Sequence, residues 1–563
     1  MHISADLLDE TTKESVTTTS FGTAPILTEF VTPQMAADKA RSWLDQCLRS
    51  HTSCTTNEKP QLPKRVIKVT NANGLPHLYE SCGENADYIA LSYCRRSPET
   101  LTTTKGTISS RLQGIIWDDI PKTFQDAILF TEHLGIDYIW IDALCIIQDD
   151  QQDWQAETAK MNTVYQNALL TLSATSSPHV AHGIFGDLKR NKTFKLKFPG
   201  VYARRSCSRT QWHLFSRWEY SGFINKNPTE EVKAQISSLY PSVSRGWIFQ
   251  ERLLSKRILH CAQDEMIWDC RESIQGESSP TTQSHVSRPG ANPFSQFKTL
   301  DMRSERFRNK FAVITLWVEL VGPYTLGRFT KDSDRLVALS GVAKCFQPAE
   351  LGGYVAGMWS NFLHVQLGWS SWADNPRESR RIAEPSWSWA SINQTVDFGT
   401  ISFQAEDYGH TDIGDEKSFV RPFQVHKAVT TLDSPDPTGS VNGGTLIGSA
   451  LTVGGVLELT ASSDSENDKM KVKVRTKSNS FDAEVDVQQW KPFSRECEEM
   501  QPSERLRQGE EVLCAELYSL VGLYNPWLVL RWSHAAEAYR RVGLIDGNDE
   551  MTNYAEAQMI TIV

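Results

Sequence analysis

Between Tyr88 and Ser177, apolar runs of strand length alternate with segments of helical pattern, and no other stretch of the chain restricts the fold as tightly. The runs are Tyr88-Ile-Ala-Leu-Ser-Tyr93, Tyr138-Ile-Trp-Ile141 and Leu169-Leu-Thr-Leu-Ser173. They lack a polar face, as strands covered on both sides of a sheet do. The first intervening segment opens at Pro121, whose missing N–H is harmless in a first helical turn. It sets Phe124, Ala127, Ile128, Thr131 and Leu134 on one side and stops at Gly135, a residue suited to a helix C-cap. A second helix is expected from about Asp150 to Gln166, acidic in its opening turns. Strands alternating with helices of this length indicate a parallel sheet. In open parallel sheets, ligands and chemistry gather beyond the carboxyl ends of the strands. Those ends carry Ser92, Tyr93 and Cys94, then Asp142 and Cys145, then Thr175, Ser176 and Ser177. Ser92, Tyr93, Cys94 and Thr175 are therefore expected to line a ligand-binding rim.

The rest of the chain falls around this core. Residues 1–34 are rich in Thr and Ser without periodicity and read as a flexible leader. Residues 35–85 supply a helix near Met35 to Leu48 and a strand at Arg65 to Val69, leading into an α/β domain at 86–272. Within that domain Arg245 to Leu254 reads as a helix, and Arg257 to Cys261 with Met266 to Trp268 as paired strands. Phe185 to Ser244 is mixed, with basic and aromatic residues alternating around Lys189 to Lys197. The Ser, Thr, Pro and Gly of Ser273 to Ser295 predict a surface loop, and 273–300 a linker. Residues 301–563 are expected to form a mixed α+β, strand-rich region. It opens with a buried helix at Phe307 to Val321 and a tryptophan-rich helix or loop at Tyr354 to Trp372. Pro385 to Ala390 alternates large and small residues as a half-buried strand would. Further strands are expected at Leu451 to Thr460, Met470 to Arg475 and Trp527 to Arg531.

Composition excludes several classes of function. A hydrophobic content of 40% places the chain among globular proteins rather than disordered ones. The net charge of −10 argues against non-specific nucleic-acid binding, which depends on positive charge. The opening Met-His-Ile-Ser-Ala-Asp-Leu-Leu-Asp-Glu has no apolar core and is not a secretory signal. The run from Phe311 to Val321 is too short to span a bilayer and contains Glu319. Eleven scattered cysteines, an odd number, fit reduced thiols better than a disulfide framework. A cytoplasmic protein without a transmembrane segment is the expectation.

Several residue groups invite chemistry, each with a plainer alternative. Cys47-x3-His51-x2-Cys54 has three soft ligands, but a structural zinc site takes four. The nearest further candidates, His77 and Cys82, lie well away, so a packed helix end is preferred and no metal is expected. Asp153 and Glu157 share a helix face four residues apart. Acidic residues there also favour the helix dipole and cap free N–H groups. Asp142, directly after a buried strand, either acts on a substrate or ties down its loop. Cys145 lies between Leu144 and Ile146, where a buried thiol is inert. Glu251 is either a catalytic carboxylate or a partner for Arg245 or Arg252. No phosphate-binding glycine loop, zincin motif, nucleophile elbow or dinucleotide fingerprint is present, so no tightly held cofactor is expected.

The same residues carry a resemblance. Leu91-Ser-Tyr-Cys94, Pro121-Lys-Thr-Phe-Gln-Asp-Ala127 and Leu134-Gly-Ile-Asp-Tyr-Ile-Trp-Ile-Asp-Ala-Leu-Cys-Ile-Ile-Gln-Asp-Asp150 closely resemble the fungal heterokaryon incompatibility (HET) domain. Asp153-Trp154, Glu157, Met161, Tyr165 and Asn167-Ala168 continue the match. Arg245-Gly-Trp-Ile-Phe-Gln-Glu-Arg-Leu-Leu254 resembles its closing motif, with Trp268-Asp-Cys270 behind it. Asp334 to Gly341, Tyr354 to Trp359 and Pro385 to Ala390 resemble the tail of full-length members. Arg95-Arg96 stands where the family usually has Trp-Gly, which removes a glycine turn. The resemblance implies a protein of fungal nonself recognition, with protein partners, whose activation leads to growth arrest and programmed cell death. It also implies a TIR-like or Rossmann-like three-layer domain through a more distant kinship to TIR domains, some of which cleave NAD. Under that reading NAD is a substrate, and Asp142, Glu157 and Glu251 are the catalytic candidates that would stabilise charge developing on the ribose. A third possibility is an accessory or regulatory protein built on the same scaffold.

Overall fold

The computed structural model describes residues 30–563 except 56–57, 71–73, 96–99, 186–192, 196–201, 205–237, 239, 243, 264, 278–282, 285–292, 300–308, 373–382, 399–418, 421–422, 462–469, 478, 486–505, 521–524 and 548. Most of the proposed leader and of the basic stretch around Lys189 to Lys197 lies outside the described residues. The chain divides into two compact units, Met1–Leu300 and Asp301–Val563.

The first unit is built on a nine-stranded mixed sheet. In chain order its strands are β1 (Arg65–Lys68), β2 (His77–Glu80), β3 (Tyr88–Ser92), β4 (Tyr138–Trp140), β5 (Leu170–Ser173), β6 (Arg257–Cys261), β7 (Met266–Cys270), β8 (Ser273–Gly276) and β9 (Gln283–Ser284). The spatial order is β9-β8-β7-β6-β5-β3-β4-β1-β2. The four central strands, β6, β5, β3 and β4, run parallel, and antiparallel strands extend both sides. Every residue of β3, β5 and β6 is buried, which explains the mainly apolar runs of β3 and β5, while β6 also buries Arg257 and His260.

The chain leaves β3 toward β4, then returns to the other side of β3 to lay down β5 and move on to β6. That reversal makes the carboxyl ends of β3 and β5 a topological switch point, where open α/β sheets place their ligands. Helix α1 (Pro33–Ser50) opens with Thr32 as N-cap, its hydroxyl accepting from the Met35 N–H. It packs against α2 (Lys122–Leu134), which buries Phe124, Ala127, Ile128, Thr131 and Leu134 and ends on Gly135 at φ 81°. The helix expected from Asp150 to Gln166 is two helices, α4 (Gln151–Thr158) and α5 (Met161–Asn167), after a short turn α3 (Asp142–Cys145). The break at Ala159-Lys160 lets α5 pack on α6 (Gly246–Leu254). Ser273–Gly276 is a strand of the sheet rather than the start of a surface loop, with Ile274 buried against its neighbours.

The second unit combines helices with an antiparallel barrel. Strands Val441–Ala461, Met470–Arg475, Ser480–Val485, Ala538–Gly547, Asn525–Ser533 and Glu511–Glu516 pair in that order, and the last pairs back on the first. Closure leaves those strands no free edge. Leu457, Val474, Trp527, Val529 and Ile545 fill the core. Among the helices, Lys310–Thr325 buries Trp317, edge-on to Phe346, Tyr354 and Trp359 at 5.2, 5.9 and 5.9 Å. Tyr354 to Trp372, expected as a helix or loop, consists of short strands, a 3₁₀ turn and a one-turn helix at Leu363–Gln366. Pro385 to Ala390 is not a strand. It turns into a 3₁₀ segment at Trp389–Ser391, with Ser386, Trp387, Ser388 and Trp389 all buried. Gly357, at φ 91°, makes room for the Trp389 ring, which a Cβ there would meet at 2.7 Å.

One buried ion pair fixes the loop after β4. Arg65, 1% exposed in β1, pairs with Asp153 and donates from Nε to the Cys145 carbonyl at 2.7 Å. Asp153 also accepts from Lys64 Nζ at 2.9 Å and the Ile147 N–H at 3.0 Å. Burial pushes the Asp153 carboxyl up, but Arg65, the Ile147 N–H and Lys64 outweigh it and hold the group well below its ordinary range. Asp153→Asn strips Arg65 of its counter-charge and should cost about 3–5 kcal/mol, read as a fall in the urea midpoint. A carboxyl with a depressed native pKa stabilises above its unfolded value and loses that contribution as the pH falls. The gap between wild type and variant should therefore narrow below about pH 4.

Candidate functional site

Parallel register brings the strand ends to one level. Ser92 pairs with Ser173, and Ser173 with His260. Ala90 pairs with Trp140, so Asp142, two residues beyond, sits level with Ser92. Tyr93 donates its hydroxyl to Asp142 Oδ1 at 2.6 Å, and the Ala143 N–H donates to the same oxygen at 2.7 Å. Glu251, inside α6, lies close enough to Ser92, Tyr165, Arg245 and Asp142 for each to shift its carboxyl, while the Tyr165 hydroxyl donates to the Leu91 carbonyl at 3.3 Å. Arg245 in turn donates to the Tyr93 carbonyl at 2.9 Å. The stretch leading into α6 lies over the strand ends. Pro241 offers its carbonyl to the Cys94 thiol at 3.8 Å, and Ser242 donates to the Thr175 carbonyl at 3.0 Å.

The first and last of these elements bound the segment that a family comparison picks out. Residues 88–251 match the heterokaryon incompatibility protein (HET) family model. No curated protein and no solved structure gives a significant match. The HET segment thus begins at β3 and ends at Glu251 in α6, with Ser92 near enough to influence the Glu251 carboxyl.

Electrostatics within the HET segment centre on Glu251. Burial, offset by Ser92 and Arg245 nearby and reinforced by Asp142, raises its carboxyl from 4.5 to about 7. Burial, with Asp142 adding to it, pushes the Tyr93 hydroxyl well above 10, so Tyr93 remains a donor to Asp142 at neutral pH. Tyr165 is raised in the same way by burial and by Glu251. A carboxyl that titrates near neutrality can give or take a proton under ordinary conditions, which is the chemistry this cluster offers.

The sequence candidates separate into groups. Ser92, Tyr93, Asp142 and Glu251 converge. All four rim candidates, Ser92, Tyr93, Cys94 and Thr175, are buried, at 3%, 4%, 1% and 0% exposure, so they lie beneath the surface rather than on an open rim. Thr175 Oγ1 meets Ser173 Oγ at 3.0 Å and His260 Nδ1 at 3.3 Å. Glu157 is buried in α4, and its recorded ion pair is with Lys160 at 3.5 Å; no described contact joins it to Asp142 or Glu251. Asp150 caps α4 by accepting from the Gln152 and Asp153 N–H groups, and Asp153 is in the Arg65 pair. Burial raises the Cys145 thiol to about 12, which removes it as a nucleophile at neutral pH. Arg252 points away from Glu251, toward Asp269 and the Phe294 ring. Arg95 Nη1 donates to Gln148 at 3.0 Å, and Gln148 donates to the Asp142 carbonyl at 3.1 Å, so this arginine braces the Asp142 loop. Arg96 lies outside the described residues. His260, missed in the sequence reading, is held neutral by burial, with a pKa lowered to about 4. Its one signal was a polar residue inside the apolar run Arg257-Ile-Leu-His-Cys261.

A raised native carboxyl pKa favours the protonated folded state, so stability is greatest below the unfolded value of 4.5 and falls as pH rises through about 7. A shift of this size amounts to roughly 3 kcal/mol. Glu251→Gln should remove most of that fall. Thermal midpoints taken from pH 4 to pH 8 should show the variant gaining on wild type across the interval, and parallel curves would contradict the assignment.

Proposed function

We propose that this chain is a fungal heterokaryon incompatibility effector, whose HET segment passes a nonself signal received through protein partners to growth arrest and cell death. The observation that carries this reading is the match over residues 88–251, which spans an α/β core from β3 to α6. Among the described residues no helix is long and apolar enough to cross a membrane, in keeping with a cytoplasmic effector. Induced expression in a filamentous fungus should arrest growth, with Ser92→Ala plus Glu251→Ala weakening the effect at equal protein level. Full growth at verified expression would favour a regulatory protein on a HET scaffold instead.

One observation favours a second reading, in which the domain is TIR-like and cleaves NAD. Asp142 lies close enough to Glu251 to influence it near the carboxyl ends of parallel strands, and burial lifts the Glu251 carboxyl to about 7. Loss of nicotinamide leaves positive charge on the ribose, which the Asp142 carboxyl would stabilise, while Glu251 would manage the proton of the attacking water. Purified protein should then release nicotinamide from NAD, at least a hundredfold more slowly after Glu251→Gln. Growth arrest that persists in Glu251→Gln, with no nicotinamide released by wild type, would leave the signalling reading alone.

A further inference from the structure

We infer that Cys47, His51, Cys54 and Cys270 form a structural zinc site that clips α1 to β7. The local spacing Cys47-x3-His51-x2-Cys54 supplies three ligands, and folding supplies the fourth from a residue more than two hundred positions away. Cys47 lies in the last turn of α1, and His51 is the C-cap of that helix, its N–H bonded to the Cys47 carbonyl at 3.0 Å. Cys54 ends the following 3₁₀ turn, and Cys270 ends β7. One donor atom from each of the four residues lies within 4.8 Å of the others, and Cys270 Sγ is 3.4 Å from His51 Nδ1. Tetrahedral zinc at ordinary Zn–S and Zn–N distances needs donors about 3.3–3.8 Å apart, so little adjustment is required.

The surroundings are those of a metal–thiolate centre. The backbone of Arg271 and Glu272 passes beside the sulfurs of Cys54 and Cys270, and N–H dipoles next to thiolates favour their charge. Lys256 lies close enough to Cys54, and Lys298 to Cys270, for their charges to interact. Three thiolates with Zn²⁺ carry one net negative charge, which Lys256 helps offset, Lys298 being paired with Asp269. Binding releases the thiol protons to solvent, and no electron transfer is involved. A disulfide would use two sulfurs and leave the third thiol and the imidazole without a role. Four protein ligands close the coordination sphere, so the site is structural rather than catalytic. Cys47, Cys54 and Cys270 are each no more than 1% exposed, and the ring of Trp43 in α1 packs 6.2 Å from that of Trp268 in β7. The site therefore sits inside the contact it would secure. The sequence reading set a metal aside for want of a fourth ligand, and Cys270 supplies it.

The test uses the full chain purified under reducing conditions without chelator. Elemental analysis should find about one zinc per chain, and cobalt exchanged into the same protein should give the intense visible bands of a tetrahedral thiolate complex. Cys270→Ser should lower zinc content at least tenfold, whereas Cys82→Ser, at an exposed cysteine, should leave it unchanged. Should Cys270→Ser fail to fold, the cobalt spectrum of the wild type and zinc release by a thiol-blocking mercurial decide the matter. Folded protein with no bound metal after zinc supplementation, or a disulfide among Cys47, Cys54 and Cys270 in unreduced peptide maps, would overturn the site.

Discussion

The first unit depends on an arginine with almost no access to water. Arg65 projects from β1 beneath the loop that follows β4, and its guanidinium has Asp153 and the Cys145 carbonyl to satisfy it. Removing a guanidinium from water is expensive unless its hydrogen-bond donors are met, so the loop must adopt the one path that meets them. That path sets Gln148 to donate to the Asp142 and Ile146 carbonyls and turns the Asp142 carboxylate toward Tyr93. The position of Asp142 follows from a charge pair on the far side of its own loop.

Glu251 presents the opposite economy. Its carboxyl is buried with Oε2 lacking a hydrogen-bond partner, close to the like charge of Asp142. A helix position that needed only packing would be served better by Leu or Gln. Ser92, Tyr165 and Arg245 soften the penalty without cancelling it, leaving a group whose proton is weakly held near neutral pH. A fold retains such a cost where a proton or a charge has to change place, which is why both functional readings lead back to this residue.

What the sequence disclosed depended on how local the determining pattern was. The central strands β3, β4 and β5 were legible because each is a mainly apolar run beside a helix signal. The antiparallel additions β2 and β8 escaped notice, being four residues long and half polar, with their pairing decided by distant neighbours. Large-small alternation at Pro385 to Ala390 mimicked a strand, but both tryptophans and both serines are buried, so the alternation marks a packed turn rather than two faces. At the site, Asp142 could be placed from strand register alone. Its approach to Glu251 could not, because about a hundred residues and a turn of α6 intervene. The four rim residues are all deeper than an open rim would have them, and the stretch around Ser242, which bonds to the Thr175 carbonyl, carries no covering signal of its own.

Cys270 illustrates the same limit and shows why the edge of the sheet matters to its centre. Its neighbour Asp269 faces His260 at 3.8 Å and pairs with Lys298, and His260 leads through Thr175 to Ser173 at the end of β5. A polar chain thus runs from β7, beside the zinc ligands, to the strand ends near Ser92 and Glu251. Each link is buried, so each needs its partner held in place: an unmatched Asp269 or Lys298 would leave a charge stranded in the interior. A metal that fixes Cys270 would also fix the backbone carrying Asp269. The clip between α1 and β7 would then secure the first link of that chain, and the order of the candidate site would depend on residues that touch none of its members.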